Sequence, residues 1–109
     1  MQIIFLDPAL EELYFTGKTK NRKYRKICKK QNIISGYMRA VDIMHDVTKT
    51  SKLVEFSFLH YEKLRANKSG LSSVRLDNRC VERLIFREVS EGIEVELIEI
   101  DENHYGDKK

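Results

Sequence analysis

The chain has 109 residues, 41% hydrophobic and 34% charged, with one Pro, no Trp and a net charge of +3. The length suits one domain and the apolar share suffices for a single core, which argues against two domains and against wholesale disorder. No stretch approaches the ~20 apolar residues of a membrane span, the start lacks the basic n-region of a signal peptide, and the lone Cys28 and Cys80 form neither a disulfide framework nor a paired-Cys metal site, so the expected setting is a reducing cytoplasm.

Residues 2–6 are an apolar run that predicts a first strand. Asp7-Pro8 opens a helix. The carboxylate caps free N–H groups, and Pro suits the first helical position, whose N–H is unpaired in any case. Ala9, Leu10, Leu13 and Tyr14 recur at helical spacing, Glu11 and Glu12 suit the positive end of the dipole, and Gly17 ends the helix.

From Gly17 to Lys30 come eight basic residues and no acid. Such a field attracts polyanions; its bland reading is a solvated helix face. A second, longer helix is predicted from near Asn21 to the polar stretch 48–52. Tyr24, Ile27, Ile34, Met38, Val41 and Met44 or His45 share one of its faces. Gly36 inside it costs about 1 kcal/mol against Ala and permits close approach to the first helix.

The second half changes period. Val54–Leu59 is aromatic and β-branched and predicts a strand that would turn His60 inward with Phe56 and Phe58. Residues 67–70 are a turn cluster. In Ser72–Leu76, Val74 and Leu76 share one face; in Val81–Arg87, Leu84 and Phe86 do, with Arg83, Ile85 and Arg87 on the other. Glu91-Gly92 is a turn, and Ile93–Ile100 the last strand, its inward side ambiguous because Leu97 and Ile98 are adjacent. Short turns make hairpins, so the expected fold is α+β, with two helices on one face of a small antiparallel sheet. Leu13, Ile27, Ile34, Met38, Val74, Leu84 and Phe86 are the expected core, and Arg75, Arg83 and Arg87 line the open face.

The familiar catalytic signatures are missing: no phosphate loop, no Gly-rich dinucleotide turn, no His-Glu-x-x-His, no zinc set. A Mg²⁺ site on Glu94 and Glu96 is a weaker reading than a solvated strand. What remains is His, Tyr, Lys and Arg on a basic domain, and metal-free RNA cleavage needs little more. One group takes the proton of the 2′-OH, another protonates the leaving 5′-oxygen, and cations stabilise charge on phosphorus. Imidazole serves either transfer near neutrality. His45 reads as structural, whereas His60 and His104 are the expected proton carriers, with Arg83 between them and Tyr105 and Lys63 as helpers.

The order strand, two helices, antiparallel strands resembles the RelE/HigB family of bacterial toxins, the ribonuclease halves of type II toxin–antitoxin pairs. Leu59-His60 followed by Leu64 is similar to the family's Leu-His-Pro-Leu segment, Ser73-Val74-Arg75-Leu76 to its Ser-Val-Arg-Val strand, and Arg83-Leu84-Ile85-Phe86-Arg87 to its Arg-Ile-x-Phe-Arg strand. The run from Glu94 to Asp101, then His104-Tyr105, is similar to its strand ending in Asp-Tyr-His. The chain departs from the pattern at Glu82, where the family has Trp, at Tyr61 for Pro, and at the interposed Glu102-Asn103. The resemblance implies an mRNA-cleaving toxin acting on the ribosome, silenced by a helix-turn-helix antitoxin of the HigA type. Its catalytic set would be His60, Arg83, His104 and Tyr105, its RNA contacts Lys63, Arg75, Arg79 and Arg87, with no cofactor and no membrane partner. The competing class is a basic RNA-binding module without catalysis, or an inactive protein of the toxin fold.

Overall fold

The N-terminal apolar run forms strand β1 (Gln2–Phe5), and Asp7 then caps helix α1 (Pro8–Thr16). Its Oδ1 accepts from Ala9 N at 2.9 Å, and Gly17, at φ 78°, closes the helix with its N–H on Leu13 O at 2.8 Å. Both ends are those the local chemistry predicts. The structure is a computed structural model that describes residues 1–64, 70–78 and 80–102.

The basic segment does not open a long helix. It folds as two 3-10 turns, Arg22–Tyr24 and Ile27–Lys29, and an extended Lys30, after which helix α2 runs Gln31–Asp46. Cations at i,i+3 and i,i+4 spacing repel along a helix face. A 3-10 arrangement needs only that Tyr24 and Ile27, three apart, point the same way. Both are fully buried, while all eight basic side chains are exposed.

Along α2, Ile33, Ile34, Tyr37, Ala40, Val41 and Met44 form the buried face. His45, expected there, is exposed, because it sits about 100° around the axis from Met44. Tyr37 OH donates to Leu10 O at 2.8 Å and ties α2 to α1. Gly36 does permit a close approach, but to the chain at Leu76 and not to α1: a Cβ there would stand 1.7 Å from Leu76 O.

Residues 54–59 are not a strand. They belong to two further 3-10 turns, Thr50–Glu55 and Ser57–Leu59. Thr50, Leu53 and Leu59 are buried and Phe56 half-buried, a repeat of three that matches the 3-10 turn and not the strand.

The sheet is completed by β2 (Glu62–Lys63), β3 (Leu71–Arg75), β4 (Arg83–Val89) and β5 (Glu94–Asp101), in the order β1-β5-β4-β3-β2. It is mixed, not antiparallel throughout. The pairs from β2 to β5 are antiparallel, but β1 lies parallel to β5. The later strands are joined by short connections, whereas β1 reaches the sheet through both helices, a crossover long enough for parallel pairing. The α+β class and the helices' cover of one sheet face are as expected. Val74, Leu84, Phe86, Val95, Leu97 and Ile100 pack with Leu13, Ile27 and Ile34, and Met38 is only partly buried.

The ambiguity at Leu97-Ile98 resolves as a β-bulge. Ile85 faces Glu99 and Phe86 faces Leu97, so Ile98 is an extra residue on β5, and burial steps from Leu97 to Ile100. The last four residues of β5 extend beyond its pairing with β1, and Tyr24 meets them at Ile100: its hydroxyl accepts from Ile100 N at 3.4 Å and lies 3.4 Å from Asp7 Oδ2. At the β4–β5 turn Ser90, Glu91 and Gly92 are all left-handed, with φ of 52°, 58° and 88°. A Cβ on Gly92 would stand 2.7 Å from Thr50 Oγ1. Among the described residues no helix is long and apolar enough to cross a membrane.

Candidate functional site

Cross-strand register sets the chemistry of the sheet face turned away from the helices. Arg75 on β3 stands opposite Arg83 on β4, which stands opposite Asp101 on β5. Arg83 is only 7% exposed. Its Nε donates to Ser73 Oγ at 3.0 Å and its Nη2 to His60 O at 3.3 Å, with Glu62 Oε2 3.7 Å away. The expectation that Arg83 is freely exposed is therefore corrected: the guanidinium reaches across β3 and holds the chain before β2. Arg75 is half-buried, and its Nε is buried with no hydrogen-bond partner among the described residues.

His60 reaches this cluster by a route the expected strand did not foresee. Leu59 is buried at the end of its 3-10 turn, and His60 then turns left-handed, at φ 46° and ψ 51°. The reversal points the imidazole to solvent and the carbonyl to Arg83. The inward position expected from alternation with Phe56 and Phe58 is thus overturned, in favour of an accessible imidazole. Arg87 is exposed but engaged, its Nη1 3.1 Å from Glu96 Oε1. Arg79, His104 and Tyr105 lie outside the described residues.

Lys63 does not join the arginines. It pairs with Ser72, on the other face, and its Nζ lies 4.0 Å from Glu88 Oε1. Glu88 is a hub missed in the sequence, although even-numbered spacing with Leu84 and Phe86 assigns it to the helix side. Thr50 Oγ1 donates to its Oε1 at 2.8 Å, Ser72 Oγ to its Oε2 at 2.7 Å, and Tyr61 OH to the same oxygen. Burial pushes this carboxyl up, but the three hydroxyl donors and the nearby Lys63 outweigh it and hold it below its ordinary value. Burial and the Glu88 bond push the Tyr61 phenol up to about 12. The hub lines an open cleft of about 910 Å³.

The basic strap, residues 17–30, is tied to the arginine end of the sheet. Lys23 Nζ bonds Glu99 Oε1 at 2.7 Å, and Lys30 Nζ bonds Glu82 Oε2 at 2.8 Å. Glu82 directly precedes Arg83 and its side chain is almost fully buried. Its burial opposes ionisation, yet the Lys30 bond holds its carboxyl low. Glu82 thus anchors the strap to the start of β4. Lys18, Lys20, Arg22, Arg25, Lys26 and Lys29 are exposed and have no carboxylate partner among the described residues. Among those residues, too, no three His, Cys, Asp or Glu side chains converge to hold a metal ion.

What the arrangement offers chemically is two arginines paired across adjacent strands, an exposed histidine whose carbonyl one of them holds, and a flanking run of exposed cations. Guanidinium forks match phosphate oxygens. Comparison with protein-family models gives no match, and comparison with curated proteins gives no significant relative.

Proposed function

We propose that the chain is the toxin half of a type II toxin–antitoxin pair, a cytoplasmic endoribonuclease that cleaves mRNA on the ribosome without a metal and is silenced by a helix-turn-helix antitoxin. One observation carries this reading. Arg83, paired across the strands with Arg75, holds the backbone oxygen of the exposed His60 at the sheet end to which the polybasic strap is tied. The RelE/HigB-like segments quoted above contribute these same three residues.

In this reading the arginines hold the phosphate. The 2′-oxygen attacks phosphorus and gives up its proton, and the 5′-oxygen leaves with a proton from a second group. The products are a 2′,3′-cyclic phosphate and a 5′-hydroxyl. His60 performs one transfer; His104 and Tyr105 are the candidates for the other. The test is single-turnover cleavage of a ribosome-bound message. His60→Gln is expected to slow it roughly 10²-fold or more, and expression of the parent chain alone is expected to arrest growth.

A second reading, a basic RNA-binding module without catalysis, is favoured by the three contacts that commit Arg83 to Ser73, His60 and Glu62. RNA binding without cleavage, together with healthy growth at high expression, would select it.

A further inference from the structure

The chain leaving Arg75 and the chain arriving at His60 meet beside α2. Asp77 and Asn78 follow β3, Phe58 lies two residues before His60, and Arg39 stands on α2. These four line a half-open recess of about 240 Å³. Gly36, nearly one turn before Arg39, lets α2 touch the Leu76 backbone. That contact brings the Arg39 guanidinium carbon to 5.2 Å from the Phe58 ring centroid. Phe58 is 38% exposed and meets Phe56 edge-on, with centroids 6.1 Å apart. Asp77 is held in place: its Oδ2 accepts from Asn32 Nδ2 at 3.1 Å, and its backbone oxygen accepts from Cys80 N at 3.4 Å. Its Oδ1 has no bond among the described residues.

We propose that this recess is a subsite for one unpaired guanine base. The proposal rests on the RNA reading above and adds to it the base read beside the phosphate-holding arginines. An aromatic ring and a guanidinium are the planar groups on which splayed-out RNA bases stack. Stacking alone accepts any base; Asp77 supplies the choice. A carboxylate only accepts hydrogen bonds. Guanine presents two adjacent donors, N1–H and N2–H, on its Watson–Crick edge. Adenine and cytosine set one donor beside an acceptor, and uracil flanks its donor with two, so each turns a lone pair toward the carboxylate. Asn78 adds a carboxamide donor, the complement of guanine O6.

The experiment measures equilibrium binding of heptauridylate RNAs that carry one guanosine, inosine or adenosine at each position in turn. At one position guanosine is expected to bind roughly tenfold more tightly than adenosine, with inosine, which lacks the N2 amino group, in between. Asp77→Asn should erase that advantage. Phe58→Ala should weaken all three RNAs roughly tenfold, and Phe58→Tyr should not. Salt-dependent binding that is indifferent to the base at every position overturns the subsite and leaves the RNA reading standing. So does a guanosine preference that survives Asp77→Asn. Absence of any RNA binding overturns both. The inosine comparison uses the parent protein, so it decides the matter even where a variant fails to fold.

Discussion

Arg75 and Arg83 face each other directly across β3 and β4, two cations in one cross-strand pair. Like charges so placed are destabilising. Arg83 offsets the cost through its bonds to Ser73 and His60, but the buried Nε of Arg75 has no such bond among the described residues. The pair is therefore asymmetric: one arginine is bonded into the fold, and the other keeps a buried Nε that is unbonded among the described residues.

The two arginines should separate stability from binding. Arg83→Ala removes two hydrogen bonds from a buried donor group and is expected to cost about 1–3 kcal/mol. Arg75→Ala relieves the repulsion and should leave stability unchanged or raise it by up to about 1 kcal/mol. A ligand that binds only the folded state raises its melting temperature, so a short single-stranded RNA should stabilise the parent and stabilise Arg75→Ala much less. Thermal unfolding with and without RNA reads both effects.

Glu88 gives a pH dependence with a definite sign. Its folded carboxyl titrates below the ordinary value of 4.5, so the unfolded chain binds the proton more readily. The stability it supplies is complete above that ordinary value and is lost as pH falls through the lower folded one. Glu88→Gln keeps the shape and removes the charge that three hydroxyls address. It should cost about 1–3 kcal/mol at neutral pH, and the gap to the parent should narrow in acid. Urea unfolding of both proteins across the acid range measures it.

At Gly36 the intrinsic preference and the packing oppose each other. Alanine is about 1 kcal/mol the better helix former, yet a methyl group there collides with Leu76 O. Overpacking of this kind typically costs 1–3 kcal/mol or more, so Gly36→Ala should lower the melting temperature, whereas Ser35→Ala, at an exposed position one residue away, should not. Thermal denaturation of the two variants compares them on one helix.

The strap should act through salt. Each phosphate neutralised contributes roughly 0.7 to the slope of log affinity against log salt for single-stranded nucleic acid. Arg25→Gln with Lys26→Gln, at two cations without ion-pair partners among the described residues, should lower that slope by up to about 1.4. The same changes should leave the melting temperature nearly unmoved, since both side chains are exposed. RNA titrations at several salt concentrations test this.

Much of this architecture was legible where the signal is local. Asp7, Pro8 and Gly17 bound α1 by backbone chemistry alone, and alternation places Val74, Leu84 and Phe86 inward. The misreadings arise where tertiary packing decides. Val54–Leu59 has strand composition, but its buried positions recur every third residue, from Thr50 through Leu53 and Phe56 to Leu59. That period was present in the sequence and points to 3-10 turns. The same misreading hid the accessibility of His60, since alternation has no meaning outside a strand. The pairing partner of β1 and the grouping of Arg39, Phe58 and Asp77 depend on contacts between distant segments, which no local pattern encodes.

Ile98 has a consequence for how the two halves of the molecule are coupled. Without it, Leu97 and Ile100 would fall in uninterrupted alternation and pair with β4 just as they do now, so the residue is superfluous to register. Its effect is directional. A bulge bends a strand and tightens its twist, and here it stands immediately before Glu99 and Ile100, the two residues that Lys23 and Tyr24 hold. It works as an elbow that aims the forearm of β5 at the strap. Deleting Ile98 would leave every inward residue inward and reorient only that forearm, moving the strap's cations relative to the arginines while the core stays as it is.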